Sequence, residues 1–339
     1  MFRFKNNVRI VAFLIALIAV FFFFSFRLPF YIHQPGHADP LDPVVAVDDG
    51  YDSEGEMYLV TIQGGRATPF TYLMAQLREY YDVLPLNEVL PEDMTDEEYR
   101  QLQLMMMENS QEASKVVAYE ASDQSIDIEY NGVYVVSVVE DMPADGVLQS
   151  GDKVIEIDGE KIEEADNLIS LVTSKSPGDT VNLTIDREGE THTEEITLEA
   201  MDALDGQPGI GIQLVTNREV NVSPELNFSS GDIGGPSAGL MFSLEIYDQL
   251  TSEDLTKGHQ IAGTGEIDYH GNVGRIGGVD KKIIAADNAG CEIFFAPNEG
   301  DREGSNFEVA KQTAEDIGSD MEVVPVDTFT DALEYLEGL

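Results

Sequence analysis

Ser237 stands in Gly234-Gly235-Pro236-Ser237-Ala238-Gly239, and a run that reads as a helix follows at once. The spacing Gly235-x-Ser237-x-Gly239 is that of a tight strand-to-helix turn presenting a nucleophilic hydroxyl. Such a serine needs a base. A histidine with a late acidic partner is one solution, and only His259 and His270 follow the serine. His270 sits in the turn-like Asp268-Tyr269-His270-Gly271-Asn272, and the preceding "ELNFSSGDIG" lacks the apolar strand this turn requires. An amine is the other solution, provided that burial or a positive field keeps it unprotonated.

The element that best supplies such an amine is "GGVDKKIIAADNAG", residues 277–290. Asp280 is the expected N-cap and Gly290 the expected stop. Lys282 then falls in the first turn, where the positive end of the helix dipole disfavours an ammonium. Its neighbours three, four and seven residues on are Ala285, Ala286 and Ala289, a small apolar face, whereas Lys281 shares its side with Asn288. Taken alone, a solvated helix lysine would explain this stretch equally well.

Taken together, "GGPSAG", "GTGEIDYHGNVGRIGGVDKK" and "GCEIFFAPNEG" resemble the proteolytic domain of the Lon proteases in order and near spacing. The resemblance implies Ser237 as nucleophile, Lys282 as general base and Thr264 as the hydroxyl that holds the lysine. It also implies oxyanion stabilisation by backbone at Gly235, Pro236 and Ala238. Two departures stand out. Gly234 replaces a usual acidic residue, with Asp232 two positions earlier, and no G-x-x-x-x-G-K-[ST] occurs, so no ATP-driven unfolding is expected. "GEMYLVTI" and "MMENSQEASKVVAYEA" resemble the opening strand and first helix of the same domain.

Between these parts, "SVVEDMPADGVLQSGDKVIEIDGEKI" resembles a PDZ domain, which implies a groove that takes a peptide C-terminus as an added strand. The carboxylate-holding turn is expected at Gly132, Val133 and Tyr134. The expected fold class is therefore an α/β (α+β) Lon-type domain, residues 55–121 and 201–339, interrupted by a mainly-β PDZ domain at 122–200. The helical readings are 68–84 and 92–122, and Met105-Met106-Met107 reads as core. Residues 56–65 read as a strand ending in a Gly-Gly turn, and "CEIFFAP" as a buried strand that makes Cys291 an inert thiol.

The N-terminus holds "IVAFLIALIAVFFFFSF" at 10–26, preceded by Arg3, Lys5 and Arg9. As a helix it would be roughly 25 Å long, just workable as a span with snorkelling arginines. The expectation is a cytoplasmic 1–9, a transmembrane signal anchor at 10–27 and a linker at 28–54, the working part lying outside. A cleaved signal peptide fits less well, because no A-x-A-like site follows closely. With this anchor the chain resembles the PDZ–Lon (YlbL-like) proteases of Gram-positive bacteria. That implies protein or peptide substrates, some with exposed C-termini, no cofactor, no metal, and a homo-oligomer, hexameric in the family.

Bulk composition bounds the partners. The chain has 339 residues, 64 acidic against 19 basic, and a formal charge of −45. Such a field excludes nucleic acid or an anionic lipid surface as a general partner and suits high salt, where repulsion is screened. A single cysteine, Cys291, excludes an internal disulfide. Two rival readings remain: a non-catalytic membrane-bound PDZ adaptor and a protein that processes only itself.

Overall fold

The computed structural model describes residues 2–90, 95–187, 189–201, 206–231 and 233–339, the side chains of 2–9 and of Asn217 excepted. The chain divides into two compact units, residues 1–125 with 222–339, and residues 126–221. The first unit begins with α1 (Phe2–Ser25), β1 (Phe30–Pro40), β2 (Val45–Val47), β3 (Glu56–Arg66), α2 (Pro69–Ala75), β4 (Asp82–Pro85), α3 (Leu86–Val89) and α4 (Asp96–Ala121). Three expectations need correction here. Residues 28–54 are not a linker: β1 pairs antiparallel with both β3 and β4, so partners on two sides satisfy the backbone of a polar sequence. The helix expected over 68–84 ends at Ala75, and Asp82–Pro85 turns into a strand. Gly64 and Gly65 continue β3 opposite His33 and Ile32 instead of ending it.

The transmembrane helix expected at 10–27 is also not met. Among the described residues no helix is long and apolar enough to cross a membrane. α1 stops at Ser25, and from Ile10 onward it is roughly 24 Å long, short of about 30 Å of hydrocarbon.

The second unit follows with β5 (Ser125–Val138), β6 (Lys153–Ile157), β7 (Glu160–Lys161), α5 (Ala165–Thr173), β8 (Thr180–Arg187), β9 (Glu190–Thr197), β10 (Glu199–Met201), β11 (Gln207–Gly209) and β12 (Ile212–Ser223). Its sheet runs β12-β5-β6-β8-β9. Val181, Leu183 and Ile185 alternate inward along β8 and meet Val133, Ile157 and Leu168 in one core. The unit runs to 221 where the sequence reading ended the PDZ domain at 200, because β11 and β12 belong to it.

The chain then completes the first unit with β13 (Leu226–Phe228), α6 (Gly239–Leu250), β14 (Gln260–Gly263), β15 (Glu266–Ile267), β16 (Val273–Gly274), α7 (Val279–Ala289), β17 (Ile293–Pro297), α8 (Asn306–Ile317), β18 (Glu322–Val326) and α9 (Phe329–Glu337). The main sheet has the order β18-β17-β14-β3-β1-β4. β14 lies parallel to β3 and β17, so a strand from the start of the chain closes a sheet built by its end. β17 is buried along its whole length, as the interior of a parallel sheet covered on both faces requires. Cys291 lies in that core, and burial pushes its thiol up to about 12. α6 is buried on nearly every side, its apolar residues together with Glu245, Asp248 and Gln249.

Candidate active site

Ser237 lies two residues before α6, in a loop that α4 holds. The Gly235 N–H donates to the Gln103 carbonyl at 2.8 Å. Ser110 Oγ donates to Pro236 O, and Ser114 Oγ to Gly239 O, both at 2.9 Å. Gly235 has φ +93°, which disfavours a side chain, and a Cβ at Gly239 would come within 2.7 Å of Ile267 Cγ2. The glycines around the serine therefore serve close approach of helix to helix and strand.

Lys282 reaches this loop from α7. Gly278, with φ 64°, is the N-cap; Asp280, expected there, falls in the first turn instead. The Lys282 N–H donates to Gly278 O, so the side chain starts within the first turn and runs inward, only 3% exposed. Its Nζ donates to Ser237 Oγ at 2.7 Å and to Thr264 Oγ1 at 2.8 Å. Thr264, just beyond the end of β14, donates Oγ1 to the Ser237 carbonyl at 2.9 Å, and its own N–H goes to Phe295 O. Burial lowers the Lys282 amine to about 7. At and above that pH the amine holds a lone pair facing the serine hydroxyl.

The three side chains named from the sequence thus converge. The expected oxyanion donors fare differently. Pro236 has no N–H, and the Gly235 N–H is taken by α4; of the three, the Ala238 amide alone donates to no group among the described residues. Asp232 lies outside the described residues. The open cavity at the serine, about 890 Å³, is lined by Ser237 and Lys282 and by Tyr31, His33, Gln103 and Arg275 among others. Neither His259 nor His270 lines it; His259 pairs instead with Glu292 at 2.7 Å. Burial and the charge of Lys281 lower the His33 imidazole.

Sequence reasoning missed Gln103, Ser110 and Ser114. The last two, four apart on an otherwise apolar helix face, were the available signal. It also missed Lys281, which is buried and held by Asp82 at 2.5 Å and by Asp280 at 2.9 Å.

In the second unit, Gly132, Val133 and Tyr134 are not a binding turn. They lie within β5, with Val133 and Tyr134 in register with Val154 and Lys153 of β6, and Val133 is core. The apolar groove is elsewhere, a cavity of about 110 Å³ between Leu168, Ile169 and Val172 of α5 and Ile210, Ile212 and Leu214.

Thr264→Val isolates the role of the threonine hydroxyl. It removes one partner of the amine and one of the Ser237 carbonyl while keeping shape. We expect hydrolysis to fall by about 10–100-fold with a loss of about 1–2 kcal/mol in stability, read by peptide cleavage and by chemical denaturation.

Comparison with known proteins agrees with both units. Residues 105–198 match the model of the PDZ domain, and residues 225–337 match that of the Lon protease (S16) C-terminal proteolytic domain. The chain thus carries a PDZ domain and a Lon-type proteolytic domain. A Lon protease of Methanosarcina barkeri is 30% identical to this chain over 145 residues, 39% of this chain and 17% of that protein. A Lon protease of Campylobacter jejuni is 36% identical over 102 residues, 30% of this chain and 12% of that one. The chain thus spans less than a fifth of the length of these curated relatives. The crystal structure of the PDZ domain of an SdrC-like protein from Listeria innocua is 42% identical, covering 25% of this chain and 93% of its own, with a TM-score of 0.24.

Proposed function

We propose that this chain is an ATP-independent serine endopeptidase whose working pair is Ser237 and Lys282. The observation that carries the reading is the 2.7 Å contact between Ser237 Oγ and a wholly buried amine lowered to about 7. In its neutral form Lys282 accepts the Ser237 proton as Oγ attacks the scissile carbonyl carbon. The negative oxygen that results faces the backbone amides of Ser237 and Ala238. The Lys282 ammonium then protonates the departing amine, leaving an ester on Ser237. A water molecule, deprotonated by the same amine, hydrolyses that ester and restores the serine. Thr264 holds the amine throughout, and carries no proton of the reaction.

Without an unfolding motor, the substrates are flexible tails, loops or small unfolded proteins. The groove between α5 and Ile210–Leu214 recruits or gates them by taking an extended peptide with an apolar end, as its aliphatic lining favours. α1, whose apolar side chains are exposed, attaches the chain to a membrane from the extracytoplasmic side. The family resemblance supports a ring of copies.

The test is casein digestion by the wild-type chain and by Ser237→Ala at several salt concentrations, followed by mass spectrometry. Cleavage by the wild type alone is expected. Equal inactivity of both folded proteins would favour an adaptor. A Ser237-dependent change in the size of the chain itself, with casein intact, would favour self-processing.

A further inference from the structure

α2 keeps two faces. On its inner face Tyr72 packs against Phe30, ring centres 5.1 Å apart and tilted by 51°, and Ala75 closes a small core with Ile32 and Ala67. On its outer face Phe70, Leu73 and Leu77, at the helical spacing i, i+3, i+7, are 37%, 54% and 81% exposed. The last of these continues the helix through a turn bonded to Met74. This outer face does not stand alone. The Phe70 ring lies 4.8 Å from Phe24 and 6.0 Å from Phe23, so it joins the exposed phenylalanines at the end of α1 in one apolar surface.

The charge of this surface sets it apart from the rest of the molecule. Residues 1–38 and 57–78 contain none of the 64 acidic residues. Those two segments are α1 with the first part of β1, and β3 with α2 and its following turn. Three arginines border the apolar face. Arg27 donates to the Arg66 carbonyl at 3.0 Å, and Arg78 donates to the Tyr81 hydroxyl at the same distance. Arg27 and Arg66 line a small cavity of about 220 Å³ with Tyr31, Tyr99 and Asp96, the last paired with Arg66 at 3.4 Å. The Arg66 Nε has no hydrogen-bond partner among the described residues.

An apolar strip edged by arginine and tyrosine, carried by two segments without a carboxylate in a chain of charge −45 and bordered by Asp96 only where it pairs with Arg66, has the character of the hydrocarbon–phosphate boundary of a bilayer. We infer that α2 is a second lipid contact: Phe70, Leu73 and Leu77 sit at the acyl boundary of a phospholipid bilayer, with Arg27, Arg66 and Arg78 at its phosphates. The inference rests on the reading that α1 attaches the chain to a membrane. It adds that the proteolytic unit itself lies down on that membrane, which fixes the distance of Ser237 from the lipid surface. A zwitterionic bilayer suffices, since the phosphates are met locally while the net charge disfavours an anionic surface.

The chain has no tryptophan, so one introduced residue reports alone. Leu77→Trp and, as control, Val309→Trp on α8 of the same unit are placed singly in the full chain. Each is reconstituted with phosphatidylcholine vesicles, plain or with brominated acyl chains, after flotation shows which chains are bound. The inference expects Leu77→Trp to lose most of its emission to bromine near the head of the acyl chain, and Val309→Trp to lose none. Flotation with both tryptophans unquenched overturns the inference and leaves the attachment by α1 standing. Blue-shifted but unquenched Leu77→Trp emission overturns it too, by showing a protein surface over α2. Failure of the folded chain to float overturns the attachment reading and this inference with it. Leu73→Trp repeats the measurement should Leu77→Trp not fold.

Discussion

Lys282→Met abolishes hydrolysis and, at neutral and lower pH, yields a more stable protein. The activity loss follows from removing the base that takes the Ser237 proton, worth at least about 10²–10⁴-fold. The gain in stability follows from the same burial that makes the base. The unfolded chain keeps this amine protonated to its ordinary value of 10.5, whereas the folded protein holds it at about 7. Below pH 7 the folded protein carries a buried ammonium, at a cost on the order of 5 kcal/mol relative to solvent. Between pH 7 and 10.5 the unfolded state binds the extra proton, so wild-type stability rises with pH through that window. Methionine, similar in length and apolar, carries no such cost. It forfeits the contacts to Ser237 and Thr264, about 1 kcal/mol each, so the net gain near pH 6 is a few kcal/mol and shrinks towards pH 10. Denaturant melts of both proteins at pH 6 and pH 10 check the sign. Wild-type casein cleavage should rise through about pH 7 over the same series. A variant less stable than wild type at pH 6 would mean that the amine is not buried as a charge there.

The convergence of Ser237, Thr264 and Lys282 was legible because each lies in a short local motif. Serine among small residues, threonine at a strand end and lysine in a first turn each need a fixed backbone setting, and that setting constrains the neighbours. What lay beyond these motifs was hidden by distance. Asp82 meets Lys281 across 199 positions of sequence, so a lysine with an uninformative helix face turned out to be a buried ion pair. Gln103 acts through its carbonyl, which no side-chain pattern encodes, and its hold on Gly235 removes a donor expected for the oxyanion. Pro35, Gly36, His37 and Asp39 made β1 read as a linker, although two strand partners satisfy its backbone. In the PDZ unit the order of strands was legible but not their closure. The groove is completed by Ile210–Leu214, past the expected boundary, while Val133 and Tyr134 are ladder residues.

Asp152→Ala unfolds the PDZ unit before it touches any groove residue. The Asp152 side chain is wholly buried, and Arg187 grips it with Nε at 2.7 Å and Nη2 at 2.6 Å. It also accepts the Gln149 N–H, and Arg187 bonds Val147 O, so the pair ties β8 to the turn ahead of β6. Burial alone would raise the Asp152 carboxyl; Arg187 and the backbone N–H outweigh it and hold the group below its ordinary value. A depressed carboxylate stabilises above its unfolded value and ceases to as the pH falls through the folded one. Removing it takes from the Arg187 guanidinium, 25% exposed, both of its bonds to the buried carboxylate. The cost is about 3 kcal/mol, a large part of the stability of so small a unit. Hydrogen exchange should show the amides of Val181, Leu183 and Ile185 losing protection together, and the loss should narrow in acid, where the wild type weakens too. Replacing both partners by leucine and methionine should recover most of it, because the desolvation penalty goes with the pair. Leu168 and Val172 of the groove share the core of these strands, so Asp152→Ala weakens peptide binding as well. The double replacement restores binding only if the groove depends on the fold of the unit and not on the charge of Asp152.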